Sequence, residues 1–522
     1  MHRRMIQLDG ASLTLEHLNR IAQGSVDLKL ADEALARMSR SRRIVEEILR
    51  APTGRVIYGV NTGFGKLSDV RISPDDLQAL QKNLILSHAC GVGPELSGPE
   101  VRALLALKIN TLLGGYSGAR PIVAEYLFKL LQNDILPVIP EKGSVGASGD
   151  LAPLAHMALV LIGEGEAVFK GHRLPGAQAL RAIDLSPLVL EAKEGLALLN
   201  GTQFMTAVGA LAFWQAETLA RTADIVGAMS AEALLCTPVA FDSRIHAARG
   251  HAGQQQTAAN LRRLMAGSPI RNSHLECDRV QDAYSIRCMP QVHGAVRDHL
   301  RALGEIFAIE LNAATDNPLV FVEEHNPEMK QAGEILSGGN FHGHPIATAG
   351  DVLAILVTHL ANISERRLAL MMDPVASASE LPAFLIKNSG VHSGFMIAQV
   401  TAASLVSENK VLSHPASVDS IPTSANKEDY VSMGAAAAIK ARHAARNATH
   451  VLAIELLAAC QALDLRAPLK PGPATGAVRD LVRQLVPMLV QDRILANDVA
   501  AVSRLIAGGE VVRAAESIVG EL

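Results

Sequence analysis

The sequence predicts one mostly helical, all-α unit, and three observations carry that prediction. Residues 431–465 are alanine-rich, free of glycine after Gly434 and of proline until Pro468, which suits a helix of unusual length. Val296, Leu300, Leu303, Phe307 and Leu311 form one apolar stripe at helical spacing, and Val352, Leu356, Leu360 and Ile363 form another. No internal repeat, low-complexity tract or flexible linker divides the 522 residues, and 49% of them are apolar, enough for one continuous core. Helices this long bury a face against other long helices, in a bundle or an oligomer.

In order along the chain, residues 12–50 read as mostly helical, with Leu15, Leu18 and Ile21, then Leu35 and Met38, then Val45, Ile48 and Leu49 at roughly helical spacing. Residues 56–66 are a glycine-punctuated loop suited to a mobile lid, and Gly65-Lys66-Leu67 lacks the Ser or Thr of a phosphate loop. Helices return over residues 77–131. Small residues then crowd a bend at 143–153, and residues 167–172 read as a short hairpin. Leu319-Val320-Phe321-Val322 reads as a brief strand before the glycine-rich stretch 337–343. The uncharged stretches 196–215 and 388–407 reach membrane-spanning length, but their scattered Asn, Gln, Ser and Thr fit helices buried in a large core better.

Composition narrows the function. A net charge of −4 with no basic block argues against a nucleic-acid binder and for small or diffusing partners. Cys90, Cys236, Cys277, Cys288 and Cys460 are odd in number and scattered, without metal-type pairs, which suggests a reducing compartment. The basic start Met1-His2-Arg3-Arg4 is not followed by the apolar region of a signal peptide, so the expected location is the cytoplasm. His342-Gly343-His344 lacks a third ligand at convincing spacing, and no metal is expected.

The segment Gly143-Ser144-Val145-Gly146-Ala147-Ser148-Gly149-Asp150 organises the chemistry. Its glycines permit a backbone that folds back, bringing the amide nitrogen of Gly149 to the carbonyl carbon of Ala147. Attack there, with loss of water and of the Ser148 hydroxyl, would give a five-membered ring bearing an exocyclic methylene, a built-in electrophile. The plain alternative is a turn, with Asp150 capping a helix that starts near Leu151. Tyr58, in the glycine loop, is placed like a general base that closes over substrate, or is a loop aromatic docked on the surface. Gln281, Tyr284 and Arg287 would share one face if helical, and an arginine near tyrosine and glutamine suits a carboxylate. Asn200, in Asn200-Gly201-Thr202-Gln203, interrupts an apolar run and needs partners if buried. Ser87-His88 and Cys90 resemble nucleophile and base pairs, although sequence neighbours rarely meet in that geometry. Gly146-Ala147-Ser148-Gly149 misses the spacing of a hydrolase nucleophile elbow.

Taken together, Tyr58 to Gly65, Gly143 to His156, Leu199 to Thr202, Gln281 to Cys288, Glu310 to Pro318, Gly338 to Phe341, Asn388 to Gly390 and Ser393 to Met396 resemble, in order, the aromatic amino acid ammonia-lyases. That resemblance implies the fumarase/aspartase-like fold, a long helical bundle with a smaller N-terminal lobe (1–200) of loops and short strands and a helical core (201–522). It implies a homotetramer with active sites shared between subunits, and a 4-methylideneimidazol-5-one (MIO) group made from Ala147, Ser148 and Gly149 with no external cofactor. Tyr58 would be the base, and Arg287, helped by Asn317, would grip the carboxylate. Tyr284, Asn200, Gln281 and Phe341 would line electrophile and substrate.

Within that family, Ser87-His88 matches the histidine-type selectivity pair, and Glu428 stands where histidine-type members carry glutamate. Both side chains have a use for an imidazole. Lys427 and Tyr430 depart from the histidine-type pattern, and Lys427 could pair with Glu428 and weaken its hold on imidazole. The implied reaction is deamination of L-histidine to trans-urocanate and ammonia. A tyrosine or phenylalanine lyase, an aminomutase and a non-catalytic helical scaffold are the alternatives.

Overall fold

A computed structural model describes residues 5–50, 56–276, 280–322, 333–377 and 379–522. The chain forms two compact units, the first of Met1–Leu211, Glu305–Asp351 and Pro415–Ile439, the second of Ala212–Gly304, Val352–His414 and Lys440–Leu522.

In the first unit the predicted helical stretch 12–50 is broken in two. Helix Leu15–Ala22 opens on Thr14, whose side chain accepts from the His17 amide, and helix Asp32–Arg50 follows. Between them Asp27–Leu30 is a strand, parallel to Met5–Leu8 in the register Met5 to Asp27. Ile6 and Leu8 alternate inward from that pair, a two-residue period too short to stand out beside the helical pattern. Helix Gly98–Leu113 starts with a capping box between Ser97 and Glu100 and buries thirteen of its sixteen residues, so it is walled by protein on every side. Four of the buried residues, Glu100, Lys108, Asn110 and Thr111, are polar and need partners. The predicted hairpin is present as Glu166–Phe169 paired antiparallel with His172–Pro175. The predicted strand Leu319–Val322 pairs antiparallel with Gly333–Leu336.

Of four helices of 22 to 32 residues, Gln203–Ala233, Met289–Glu310, His344–Met372 and Gly434–Leu465, the second and third carry the two predicted stripes and the fourth is the predicted alanine-rich run. Leu300, Phe307 and Leu360 are fully buried, while Val352 is half-buried. His344–Met372 and Gly434–Leu465 are long and apolar enough to cross a membrane, and most of each apolar window is buried in protein. Neither uncharged stretch noted in the sequence is one helix. Helix Glu194–Leu199 ends at Asn200 before Gln203–Ala233 begins, and residues 388–395 precede helix Met396–Leu412. That last helix buries only Ala402 and Asn409 and exposes Ile397, Val400 and Val411.

The second unit holds charge in its interior. Arg367 and Glu455 are both fully buried and pair through two contacts of 2.6 and 2.9 Å. The Ser230 and Ser364 hydroxyls donate to the same carboxylate, so each Glu455 oxygen has two donors. Asp224 likewise accepts from His293, Arg297 and Asn260 at 2.6–2.9 Å. Such saturation offsets the several kcal/mol that an unpaired buried ion costs.

Candidate active site

The bend takes its shape from two positions. Gly146 and Gly149 have φ of +71° and +75°, and a Cβ on Gly149 would stand 2.1 Å from the Gly201 carbonyl oxygen. Only glycine lets the two strands of backbone approach this closely. Gly149 bridges Gly201, and the Asp150 amide donates to Gly201 O at 2.8 Å. The Ser148 carbonyl oxygen in turn accepts from Asn200 Nδ2 at 3.0 Å and from the Gly201 amide at 3.4 Å. Ala147 is buried against Val431 and Met433, and the Met433 amide fastens Val145 O at 2.9 Å.

Asp150 does not cap the helix Leu151–Leu161 with its side chain, the alternative considered from sequence. Its carboxylate accepts from Ser144 Oγ at 3.0 Å and from the Met205 amide at 2.9 Å, tying both sides of the bend to the helix Gln203–Ala233. Full burial pushes the Asp150 carboxyl up to about 7.

The bend opens on a cavity of about 790 Å³ lined by Tyr58, His88, Ser148, Asn200 and Glu428 among Leu80, Leu84, Leu151, Leu196 and Leu199. Ser148 Oγ donates to Glu428 Oε1 at 3.1 Å, and the Thr423 hydroxyl donates to Glu428 Oε2 at 2.7 Å. Thr423 and Glu428 also pair through backbone, across a turn in which Ser424, Ala425 and Asn426 have φ of 51–64°. Lys427 is exposed at that turn, and hydroxyls rather than its ammonium hold the Glu428 carboxylate.

His88 ends the helix Leu77–His88 with Nδ1 2.8 Å from Leu84 O and 3.0 Å from Ser87 Oγ. The neighbours Ser87 and His88 therefore do meet, against expectation, because the last helical turn leaves both reaching back to the same carbonyl. A carbonyl only accepts, so Nδ1 carries the hydrogen and the neutral ring keeps Nε2 as an acceptor. Burial lowers the His88 pKa below its ordinary value, partly opposed by the Leu84 contact and the Glu428 charge.

Tyr58 sits edge-on to Phe64, and its hydroxyl accepts from the Gly65 amide at 3.4 Å. Burial raises its pKa, Glu428 and Asp316 add to the rise, and the Gly65 amide opposes it. Asn200 spends its Nδ2 on Ser148, while its buried Oδ1 has no partner among the described residues.

The remaining expected residues lie elsewhere. Asn317 and Phe341 belong to the first unit but do not line the cavity; the Asn317 amide is engaged by Ser337 and by the Gly338 amide at 2.7 Å. Gln281, Tyr284 and Arg287 belong to the second unit. They do not share a long helical face, because only Tyr284–Arg287 forms a single turn and Gln281 precedes it. The Arg287 guanidinium lies 4.7 Å over the Tyr284 ring, and its buried Nε is unpartnered among the described residues. Tyr284, Cys288, His359 and Arg366 line a separate cavity of about 720 Å³ within that unit. Among the described residues no group of three or more His, Cys, Asp or Glu side chains is arranged to hold a metal ion.

Sequence reasoning missed Thr423, which orients Glu428, and Lys108, whose signal was a lone charge inside the apolar run Leu104-Leu105-Ala106-Leu107-Lys108-Ile109.

The profile of the aromatic amino acid lyases matches residues 13–484. The chain belongs to the aromatic amino acid lyase family. Among curated members of that family, histidine ammonia-lyase of Myxococcus xanthus is 53% identical over 99% of both chains. Among solved members, histidine ammonia-lyase from Trypanosoma cruzi superposes with a TM-score of 0.89 at 43% identity, covering 99% of this chain and 96% of that one. Tyrosine aminomutase from Streptomyces globisporus superposes at 0.91 with 39% identity over 99% of each chain. The helical architecture of the aromatic amino acid lyases is therefore this chain's own.

Proposed function

We propose that this chain is a histidine ammonia-lyase, converting L-histidine to trans-urocanate and ammonia with an MIO group made from its own Ala147, Ser148 and Gly149. One observation carries the reading: the Ala-Ser-Gly bend shares a single cavity with Tyr58, His88, Asn200 and Glu428. The high identity to curated histidine ammonia-lyases supports it.

The residues present fit the group. The bend has the close backbone approach that ring closure needs, and the hydroxyl to be lost sits on a carboxylate. The group would supply an electrophilic methylidene carbon, conjugated to the Ser148 carbonyl, that takes up an amine and makes it a better leaving group. Asn200 Nδ2 and the Gly201 amide hold that carbonyl oxygen polarised. Asn200 Oδ1, buried and without a partner among the described residues, can accept from the substrate's amino group. His88 Nε2 accepts an imidazole N–H, and the Glu428 carboxylate accepts from the second N–H when the substrate ring is protonated. Tyr58 removes the β-proton as tyrosinate.

The assembly is a homotetramer whose active sites draw residues from more than one copy. The apolar side chains exposed on Met396–Leu412 and the Arg287 Nε, unpartnered among the described residues, support that reading. Arg287, Asn317, Gln281, Tyr284 and Phe341 complete carboxylate and ring binding there. The compartment is the cytoplasm, a reading that rests on Cys90, Cys288 and Cys460 being free thiols.

Ultraviolet absorbance after separate mixing with L-histidine, L-tyrosine and L-phenylalanine tests the function, with Ser148→Ala as control. Urocanate from histidine alone, absent in the control, is the expected result. Coumarate or cinnamate instead would overturn the substrate while leaving the chemistry standing.

A further inference from the structure

Lys108 is the one lysine of the helix Gly98–Leu113, and it is fully buried. Its Nζ donates to Asn200 O at 2.7 Å and to Gln203 Oε1 at 3.3 Å. Gln203 is itself fixed, because its amide nitrogen donates to the hydroxyls of Thr111 and Thr315. The amine is therefore aimed, with one short bond, at a single backbone carbonyl.

That carbonyl is one end of a peptide whose other end is the Gly201 N–H, and Gly201 N–H faces the Ser148 carbonyl oxygen. We propose that Lys108 is a positioning residue for the electrophile-forming bend, acting through the Asn200–Gly201 peptide. A donor on a peptide oxygen strengthens the N–H at the opposite end as a donor, since hydrogen bonds in series polarise one another. The chain Lys108 Nζ to Asn200 O, then Gly201 N to Ser148 O, thus strengthens a donor on the oxygen of the residue that must lose its hydroxyl. The same bond fixes the side-chain-bearing Asn200, whose Nδ2 is the second donor on that oxygen.

The chemistry shows where this acts. In ring formation Gly149 N bonds to Ala147 C, and the Ala147 oxygen departs as water with the two amide protons of Ser148 and Gly149. Ser148 Oγ then departs as a second water with the proton from Ser148 Cα. That Cα proton is acidified by whatever polarises the adjacent Ser148 carbonyl. Lys108 Nζ serves this step as the donor at the head of the relay. The charged groups around Lys108 are Asp316, Asp150 and Lys193, with Lys193 itself paired to Asp316 at 2.8 Å. Burial pulls the Lys108 amine down to about 7, opposed by the two carboxylates.

The inference rests on the proposed MIO chemistry, and the test separates the two. Intact mass of the full-length wild type reads that chemistry directly: two waters missing supports it, and a chain of full translated mass overturns it together with the role of Lys108. Lys108→Met removes the donor at nearly constant volume, and Lys108→Gln keeps a neutral donor. The expected Lys108→Met protein loses its two waters incompletely. Its dehydrated fraction turns over histidine with kcat lower by roughly tenfold and KM within about twofold, less than the hundredfold or more for removing a direct oxyanion donor. Lys108→Gln restores complete dehydration and part of kcat, a rescue that a purely structural lysine would not show. If Lys108→Met fails to fold, Lys108→Gln decides alone: kcat reduced several-fold at unchanged KM supports the relay. Complete dehydration with wild-type kcat in every variant that folds overturns it.

Discussion

Replacing Gly149 by alanine isolates the backbone geometry on which the bend depends. The new Cβ would stand 2.1 Å from Gly201 O, 2.4 Å from its carbonyl carbon and 2.7 Å from its nitrogen, all of them backbone atoms that cannot swing aside. To reach ordinary contact the two segments must part by more than an ångström, which breaks the Asp150 to Gly201 bond and loosens Gly201 on Ser148. A left-handed φ of +75° costs a non-glycine residue roughly 1–2 kcal/mol, and the two hydrogen bonds add about 1 kcal/mol each. The total, about 3–4 kcal/mol, is less than a typical folding free energy of roughly 5–15 kcal/mol. Gly149→Ala therefore folds but holds its bend open, and the expected protein is soluble, lowered in melting temperature and of full translated mass. Gly338→Ala, where a Cβ meets nothing within 4 Å, serves as the neutral control. Thermal melts with intact-mass spectrometry make the assay. A Gly149→Ala protein lacking two waters and melting with the wild type would refute the reasoning.

Further outcomes concern two residues of the cavity, Tyr58 and His88. Burial and the Glu428 and Asp316 charges hold the Tyr58 phenol above its ordinary value of 10, so tyrosinate is scarce at neutral pH. Initial-rate profiles are therefore expected to show kcat/KM rising with pH well into the alkaline range. Tyr58→Phe is expected to lose at least about a hundredfold in kcat while still losing two waters, as fits a base removed after the electrophile is made. For His88, whose pKa lies below 6.5, the accepting Nε2 is lost only as pH falls through that lowered value, and KM for histidine rises there. His88→Leu leaves an imidazole N–H unpaired at about 1–3 kcal/mol, so kcat/KM for histidine falls roughly ten- to a hundredfold. Turnover of tyrosine or phenylalanine unchanged from wild type in that variant would argue against His88 as the selector.

Much of this was legible in the residues because helices announce themselves by period. The stripe from Val296 to Leu311 and the long alanine-rich run needed no tertiary information. The pairing of Met5–Leu8 with Asp27–Leu30 did, because a four-residue strand gains its stability from a partner remote in sequence. The bend was legible through its glycines, but Asp150 was not. A residue just before a helix suggests a cap, and only the fold shows its carboxylate turned to Ser144 and Met205. Sequence neighbours such as Ser87 and His88 rarely meet, and these two do because a helix end leaves a carbonyl for both to share. Lys108 was passed over because partners 92 and 95 residues away are invisible to spacing arguments.

The interior charges of the second unit bear on how its helices find their alignment. Alanine-rich surfaces such as that of Gly434–Leu465 offer shallow ridges, and one turn of slippage along them changes apolar contact little. The same slip, about 5.4 Å, would carry the Glu455 carboxylate away from Arg367, Ser230 and Ser364 together and strand a charge in the dry interior, at a cost of several kcal/mol. Arg367 and Glu455 thus act as a key cut for one lock position: smooth helices supply the area, and two ions decide where along them the packing stops.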